Sequence, residues 1–165
     1  MPDSRADDIA PPQAPLLLAA FLPYRLSVVA ERVSRAFAAR YQQEFGLTIP
    51  EWRIMAVLGE DAPCSTQAVI ERTAMDRVKV SRAVIRLAGK GLLARRPHPA
   101  DQRAQLLRLS RRGLAVYRRI VPLAHRMQAD LAAALTDTER HELDRILCKL
   151  HVGAGALTDA AGGNP

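Results

Sequence analysis

Residues 65–96 read STQAVIERTAMDRVKVSRAVIRLAGKGLLARR, and they contain the most informative structural pattern of the chain. Ser65 or Thr66 can cap a first short helix and Asp76 a second, because their side chains accept hydrogen bonds from free N–H groups at a helix start. Gly91 then supplies a stop. One face of the second helix carries apolar residues at helical spacing: Val80, Val84 and Leu87. The stretch therefore predicts two helices joined by a tight turn, as in a helix-turn-helix.

The other side of the second predicted helix is cationic. Four basic residues fall within an arc of about 80° at 3.6 residues per turn: Lys79, Arg82, Arg86 and Lys90. Residues 72–119 hold fourteen lysines and arginines but only two acidic residues, whereas the whole chain has a net charge of +7. A concentrated positive charge favours a polyanionic partner. The alternative is a solvated helix face without a partner.

Double-stranded DNA is the favoured polyanion. A membrane-bound helix would need bulky aromatic groups opposite its basic face, and the helix has only aliphatic residues there. Modules for single-stranded RNA stack bases on exposed aromatic rings, whereas residues 72–119 contain Tyr117 alone. The charge pattern is therefore typical of a protein that binds a DNA duplex.

The flanking sequence is mainly helical. Residues 92–96 and 105–109 are short strand-like runs around a polar tip, which predicts a β-hairpin. Further helices are predicted before Gly46, after the Thr48–Glu51 capping box, after Ser110 and after the Thr136–Glu139 capping box. We therefore expect a mainly α fold with a small β-hairpin wing.

The chain of 165 residues has room for one compact domain with flanking segments. We expect an N-terminal tail over residues 1–15, a dimerisation helix over 16–46, a DNA-binding lobe over 47–113, dimerisation helices over 114–152 and a flexible tail over 153–165. No apolar run is long enough to span a bilayer, and the acidic, proline-rich start is unlike a signal peptide. We expect a cytoplasmic protein with no membrane partner.

Catalytic and metal chemistry are not indicated. The sequence shows no Ser-His-Asp set, paired carboxylates or glycine-rich phosphate loop, and its four histidines lack metal-ligand spacing. We predict that the protein is not an enzyme and has no cofactor or metal. Cys64 and Cys148 fit reduced thiols. Redox sensing by a cysteine remains a weaker alternative.

Residues 47–113 resemble the winged helix-turn-helix core of the MarR (multiple antibiotic resistance regulator) family. The matching segments are LTIPEWRIMAVL, AMDRVKVSRAVIRLAGKGLLARR, a D-x-R at Asp101 and Arg103, and LRLSRRG. The flanking helices extend the resemblance over residues 16–152. It implies a homodimer with long flanking dimerisation helices, and a ligand-responsive transcriptional regulator, usually a repressor, that binds pseudo-palindromic DNA.

The resemblance also implies roles for individual residues. Ser65, Thr66 and Gln67 would meet phosphate at the start of the first helix of the motif. Residues of the second helix would lie in or beside the major groove: Arg77, Lys79, Ser81, Arg82 and Arg86. Asp101 would orient the wing around Arg103, and the guanidinium of Arg103 would enter the minor groove. Arg95 and Arg96, which precede the polar tip, can reach flanking phosphates or a second groove.

A small organic anion is the expected effector, namely an aromatic or phenolic acid or its coenzyme A thioester. The resemblance suggests that Arg25 binds its carboxylate, with Trp52, Tyr117 and His125 lining the cavity. The favoured alternative for these three is that Trp52 and Tyr117 are packing residues and His125 is a surface or hydrogen-bonded histidine. An activator, or a DNA-binding protein that needs no ligand, is the alternative function on the same fold.

Overall fold

A computed structural model describes residues 15–97 and 105–162, and the side chains as far as residue 158. In these residues a short 3-10 helix, Leu18–Ala20, precedes the helices α1 Leu22–Phe45, α2 Ile49–Glu60, α3 Thr66–Thr73, α4 Arg77–Gly89, α5 Arg111–Ala132 and α6 Asp137–Gly162. The strands are β1 Cys64–Ser65, β2 Leu93–Pro97 and β3 Gln105–Leu109. By internal contacts the chain divides into two units, Met1–Ile49 and Pro50–Pro165.

The first unit contains α1. The helix ends where the sequence predicts, because Gly46 adopts a left-handed φ of 63° and its N–H donates to the carbonyl oxygen of Gln42. Near its C-terminus the rings of Phe37 and Tyr41 meet edge-on, with 6.0 Å between centroids. Tyr41 is buried, and burial raises the pKa of its phenol. Most of the predicted N-terminal tail, residues 1–14, lies outside the described residues.

In the second unit, local caps begin the helices at the predicted positions. Ser65 Oγ accepts from Ala68 N at 3.1 Å and Asp76 Oδ1 accepts from Lys79 N at 2.7 Å. Ser110 caps α5 in the same way. The core between these helices and the sheet includes large buried side chains: Ile54, Met55, Val69, Val80, Leu87, Leu107 and Ile120.

The strands form an antiparallel sheet in the order β1-β3-β2. The predicted hairpin is confirmed, with Arg96 opposite Leu106, and its tip falls outside the described residues. The strand β1 was not predicted, because two residues are too short to show alternation. It exists through its pairing of Cys64 with Leu107. The fold is therefore mainly α with a small β-wing, as expected.

A close backbone contact fixes the start of α5 to the segment between α4 and β2. A Cβ at Gly113 would lie 1.9 Å from the carbonyl oxygen of Leu92, so only glycine fits. In addition, Ser110 N donates to Leu92 O at 3.0 Å and Ser110 Oγ donates to Gly91 O at 2.7 Å. These contacts tie α5 to the segment that follows α4.

The last helix differs from the prediction at its end. It begins at the predicted capping box, where Thr136 N donates to Glu139 Oε2 at 2.8 Å and Glu139 N donates to Thr136 Oγ1 at 3.3 Å. It continues to Gly162, so the predicted stop at Gly153 and a tail from residue 153 are wrong over residues 153–162. A glycine ends a helix when it turns left-handed, which Gly153 does not, and an interior glycine costs only about 1 kcal/mol.

No helix within the described ranges is both long and apolar enough to cross a membrane.

Candidate DNA-binding surface

The turn between α3 and α4 is fixed by backbone geometry and by side chains. Ala74 takes a left-handed φ of 50°, and Met75 is buried. Arg77 at the start of α4 donates to Gln67 Oε1 at 3.3 Å, and Gln67 Nε2 donates to Glu71 Oε1 at 2.9 Å. Two residues predicted to meet DNA therefore join the two helices of the motif.

The helix α4 has a buried face and an outward face. The buried face consists of Val80, Ala83, Val84 and Leu87. The residues predicted to meet the major groove are all exposed: Arg77, Lys79, Ser81, Arg82 and Arg86. Gln67 is exposed as well, whereas Ser65 and Thr66 are half-buried at the start of α3. The predicted contact residues of α3 and α4 are thus exposed or half-buried, and none of them belongs to the buried face of α4.

Two cations on this side of the motif also pair with a buried carboxylate. Glu51 of α2 is fully buried, and its Oε1 lies 2.8 Å from Lys90 Nζ and 3.4 Å from Arg86 Nε. A buried carboxylate requires paired charges, so these contacts tie α4 to α2. Lys79 Nζ lies 3.1 Å from Asp76 Oδ2, a surface pair at the helix start.

Sequence reasoning assigned Glu51 only to a capping box and missed this ion pair. Its partner Lys90 is 39 residues away, and no local pattern signals such a contact. Within α4, Arg82 is exposed on the same side as Lys79.

The wing lies beside the outward face of α4. A cleft of about 180 Å³ is lined by residues of α3, α4 and the sheet, namely Thr66, Ser81, Val84, Ile85, Arg95, Gln105 and Leu107. Arg95 and Arg96 are both exposed, and their strand leads towards the tip. Asp101 and Arg103 lie outside the described residues.

The residues predicted to bind an effector are placed as follows. Trp52 of α2 and Tyr117 of α5 stack at a centroid distance of 6.1 Å and an interplanar angle of 25°. The Tyr117 ring also packs against Gly59, where a Cβ would lie 2.2 Å from it. His125 is exposed on α5, and Arg25 is exposed on α1 in the first unit. The stacked pair makes the contacts of packing residues, so an effector role for it stays a prediction.

The cysteines are free thiols, Cys64 buried and Cys148 exposed. The Cys64 thiol donates to the carbonyl oxygen of Asp61. Among the residues that the structure describes, no cluster of three potential ligands could hold a metal ion.

A short helix, a tight turn, a second helix with a cationic outward side and a β-wing define a winged helix-turn-helix protein of the DNA-binding class. Residues 45–104 match the model of the MarR family. A protein of Thauera aromatica described as a putative transcriptional regulatory protein for the hcr operon is 28% identical over 117 residues, which are 71% of this chain and 70% of that protein.

Two solved structures extend the similarity to the fold. The BpsR structure from Bordetella bronchiseptica, which concerns regulation of DNA binding by 6-hydroxynicotinic acid, has a TM-score of 0.77 and 25% identity over 84% of this chain and 98% of that one. The PcaV regulator of Streptomyces coelicolor, in complex with its natural ligand, has a TM-score of 0.72 and 26% identity over 86% and 99%.

Over residues 45–104 and in its fold, the chain is thus similar to the MarR family of transcriptional regulators. This family is not enzymatic, which confirms the prediction that the chain is not an enzyme.

Proposed function

We propose that this protein is a homodimeric repressor that binds a pseudo-palindromic operator through α4 and releases it when a small aromatic acid binds. The observation that supports DNA binding best is the outward side of α4, where the basic residues Arg77 and Arg82 stand exposed. Arg95 of the wing is exposed as well and lines a cleft with Ser81 of the same helix. Cations on one surface attract the phosphates of a duplex. Residues 47–113 form the DNA-binding lobe in this proposal.

The proposed dimer rests on exposed apolar stripes. Leu22, Leu26 and Val29 of α1 are 40 to 60% exposed. On α6, where no side chain described is buried, a second stripe consists of Leu143, Ile146 and Leu147. Such faces are unfavourable in water and mark association surfaces. A second copy of the chain is the natural partner, because self-complementary twofold dimers are the most common assemblies.

DNA binding is tested with labelled duplexes from the region upstream of the protein's own gene. If each subunit neutralises about four phosphates, log K should fall with log salt with a slope of about −7. Arg82→Ala should weaken binding by about 1–3 kcal/mol. Arg140→Ala, on α6, is the matched control and should leave affinity unchanged. A flat salt response, or equal losses in both variants, would contradict the proposal.

The proposed effector follows from relatives whose ligands are known. Because the BpsR structure concerns 6-hydroxynicotinic acid, that compound heads a panel of aromatic acids and their coenzyme A thioesters. A coupling free energy of 1–3 kcal/mol between effector binding and DNA binding would lower the affinity for the operator about 5- to 150-fold. Arg25→Ala should abolish the response with DNA binding intact, whereas Arg32→Ala on the same helix should not. If no compound changes affinity, the ligand-independent alternative is favoured.

An operator-binding protein must reach the chromosome, in keeping with the cytoplasmic location expected from the sequence.

A further inference from the structure

The outermost line of α4 carries two aliphatic side chains. Val78 and Ile85 are 58% and 60% exposed. At 3.6 residues per turn, both lie within about 30° of the direction opposite the buried face of the helix. Lys79 and Arg86 lie roughly a quarter-turn away on one flank. We define Val78 and Ile85 as the apolar crest of α4.

The apolar crest has no role in the core. The buried face of α4 is already filled by Val80, Ala83, Val84 and Leu87. Valine and isoleucine also form helices less readily than alanine, lysine or glutamate, so helix formation does not favour them at exposed positions. An exposed aliphatic residue is common by itself, but two along one line, flanked by cations, form a surface of distinct chemistry.

Such a surface matches one feature of a DNA duplex. The edges of base pairs in the major groove present hydrogen-bonding groups, and the 5-methyl group of thymine is their apolar feature. We propose that Val78 and Ile85 recognise thymine by packing against 5-methyl groups in the major groove. This inference rests on the proposed binding of α4 to DNA and names the sequence feature that the helix reads.

The helix geometry sets the spacing of these thymines. Seven residues at 1.5 Å per residue separate the two side chains by about 10.5 Å along the helix axis. A base-pair step is about 3.4 Å, so the two contacts fall about three steps apart in each half-site. Arg82 lies between them along α4, on the same outward side.

The test begins with duplexes selected from a random-sequence pool by the full-length protein. Each thymine of an enriched duplex is then replaced singly by deoxyuridine, which lacks only the 5-methyl group. Dissociation constants are measured for the wild type, Val78→Ala and Ile85→Ala. Val152→Ala, a matched change at an exposed valine of α6, is the control.

Removing one buried methyl contact should weaken wild-type binding about fourfold at each of two thymines in a half-site. Val78→Ala should bind the thymine duplex more weakly than the wild type by a similar factor. Its affinity should fall no further when the thymine proposed to contact Val78 is replaced by deoxyuridine. Ile85→Ala should behave in the same way at the second position, about three steps away. The control should respond to deoxyuridine as the wild type does.

Two results would overturn the inference and leave DNA binding in place. One is a wild-type protein that binds the enriched duplex but is indifferent to every deoxyuridine. The other is a pair of crest variants that still respond to every deoxyuridine as the wild type does. If either variant changes the oligomeric state of the protein in solution, the apolar crest is a contact between two copies of the chain. The inference then fails as well. If no sequence is enriched, the proposed function fails and the inference fails with it.

Discussion

Replacing Lys90 with methionine tests whether the buried carboxylate of Glu51 holds α4 in place. The substitution keeps most of the side-chain length but removes the ammonium group 2.8 Å from Glu51 Oε1. Arg86 remains at 3.4 Å, and its side chain is 45% exposed. Of the two cations, the buried carboxylate would therefore keep only Arg86, which is farther away and partly screened by water.

The expected loss follows from this geometry. Breaking a buried ion pair costs about 3–5 kcal/mol because a charge is left uncompensated. Since Arg86 still compensates part of that charge, we expect the lower end, about 3 kcal/mol. For a chain of this length such a loss lowers the unfolding midpoint by about 6–12 °C. Arg82→Met, at an exposed position of the same helix, should change stability by less than about 0.5 kcal/mol.

Urea and thermal unfolding, followed by circular dichroism at one protomer concentration, measure both variants. A third variant combines Glu51→Met with Lys90→Met, which removes the buried charge together with its partner. It should recover most of the loss, because a buried ion pair can be replaced by apolar groups at little cost. The reasoning is refuted if Lys90→Met is as stable as the wild type, or if the double variant is less stable than Lys90→Met.

Three further changes test the packing and the helix caps. Gly113→Ala places a Cβ 1.9 Å from a carbonyl oxygen, so thermal unfolding should show a loss of about 1–3 kcal/mol, and an unchanged midpoint would contradict that contact. Gly59→Ala should displace the ring of Tyr117 and shift the fluorescence of Trp52, the sole tryptophan, whereas an unaltered spectrum would show that the ring is not held there. The pKa of the Asp76 carboxyl is held below its usual value chiefly by the backbone N–H group that it caps. The Asp76 carboxylate therefore stabilises the fold fully above its pKa in the unfolded chain, and this stabilisation is lost as the pH falls through its lower pKa in the folded chain. When stability is measured between about pH 2 and pH 5, Asp76→Asn should show a smaller dependence on pH than the wild type.

The helix starts could be predicted because their causes are local. Ser65, Asp76 and Ser110 each accept a hydrogen bond from an N–H three residues on, and Thr136 and Glu139 cap each other within one turn. Because these hydrogen bonds join residues only three positions apart, short sequence motifs predict them. The outward placement of the described basic residues of α4 followed in the same way from helical periodicity.

The apolar crest also follows from helical periodicity. The same periodicity that places Val80 and Leu87 in the core places Val78 and Ile85 on the outside. The sequence-based prediction for that side of α4 includes its cations but not Val78 and Ile85. Their exposure became evident with the structure.

The helical segments, the caps of α3 to α6, the hairpin and the charged side of α4 could be predicted from the sequence, because each depends on residues within a few positions of one another. The burial of Glu51 beside Lys90 and Arg86 and the pairing of Cys64 in a strand could be recognised only in the folded chain. Those contacts unite residues 35 to 43 positions apart, and no short-range pattern specifies which distant groups will meet. The helical state of residues 153–162 likewise became evident only with the structure, because glycine permits both a stop and a continuing helix.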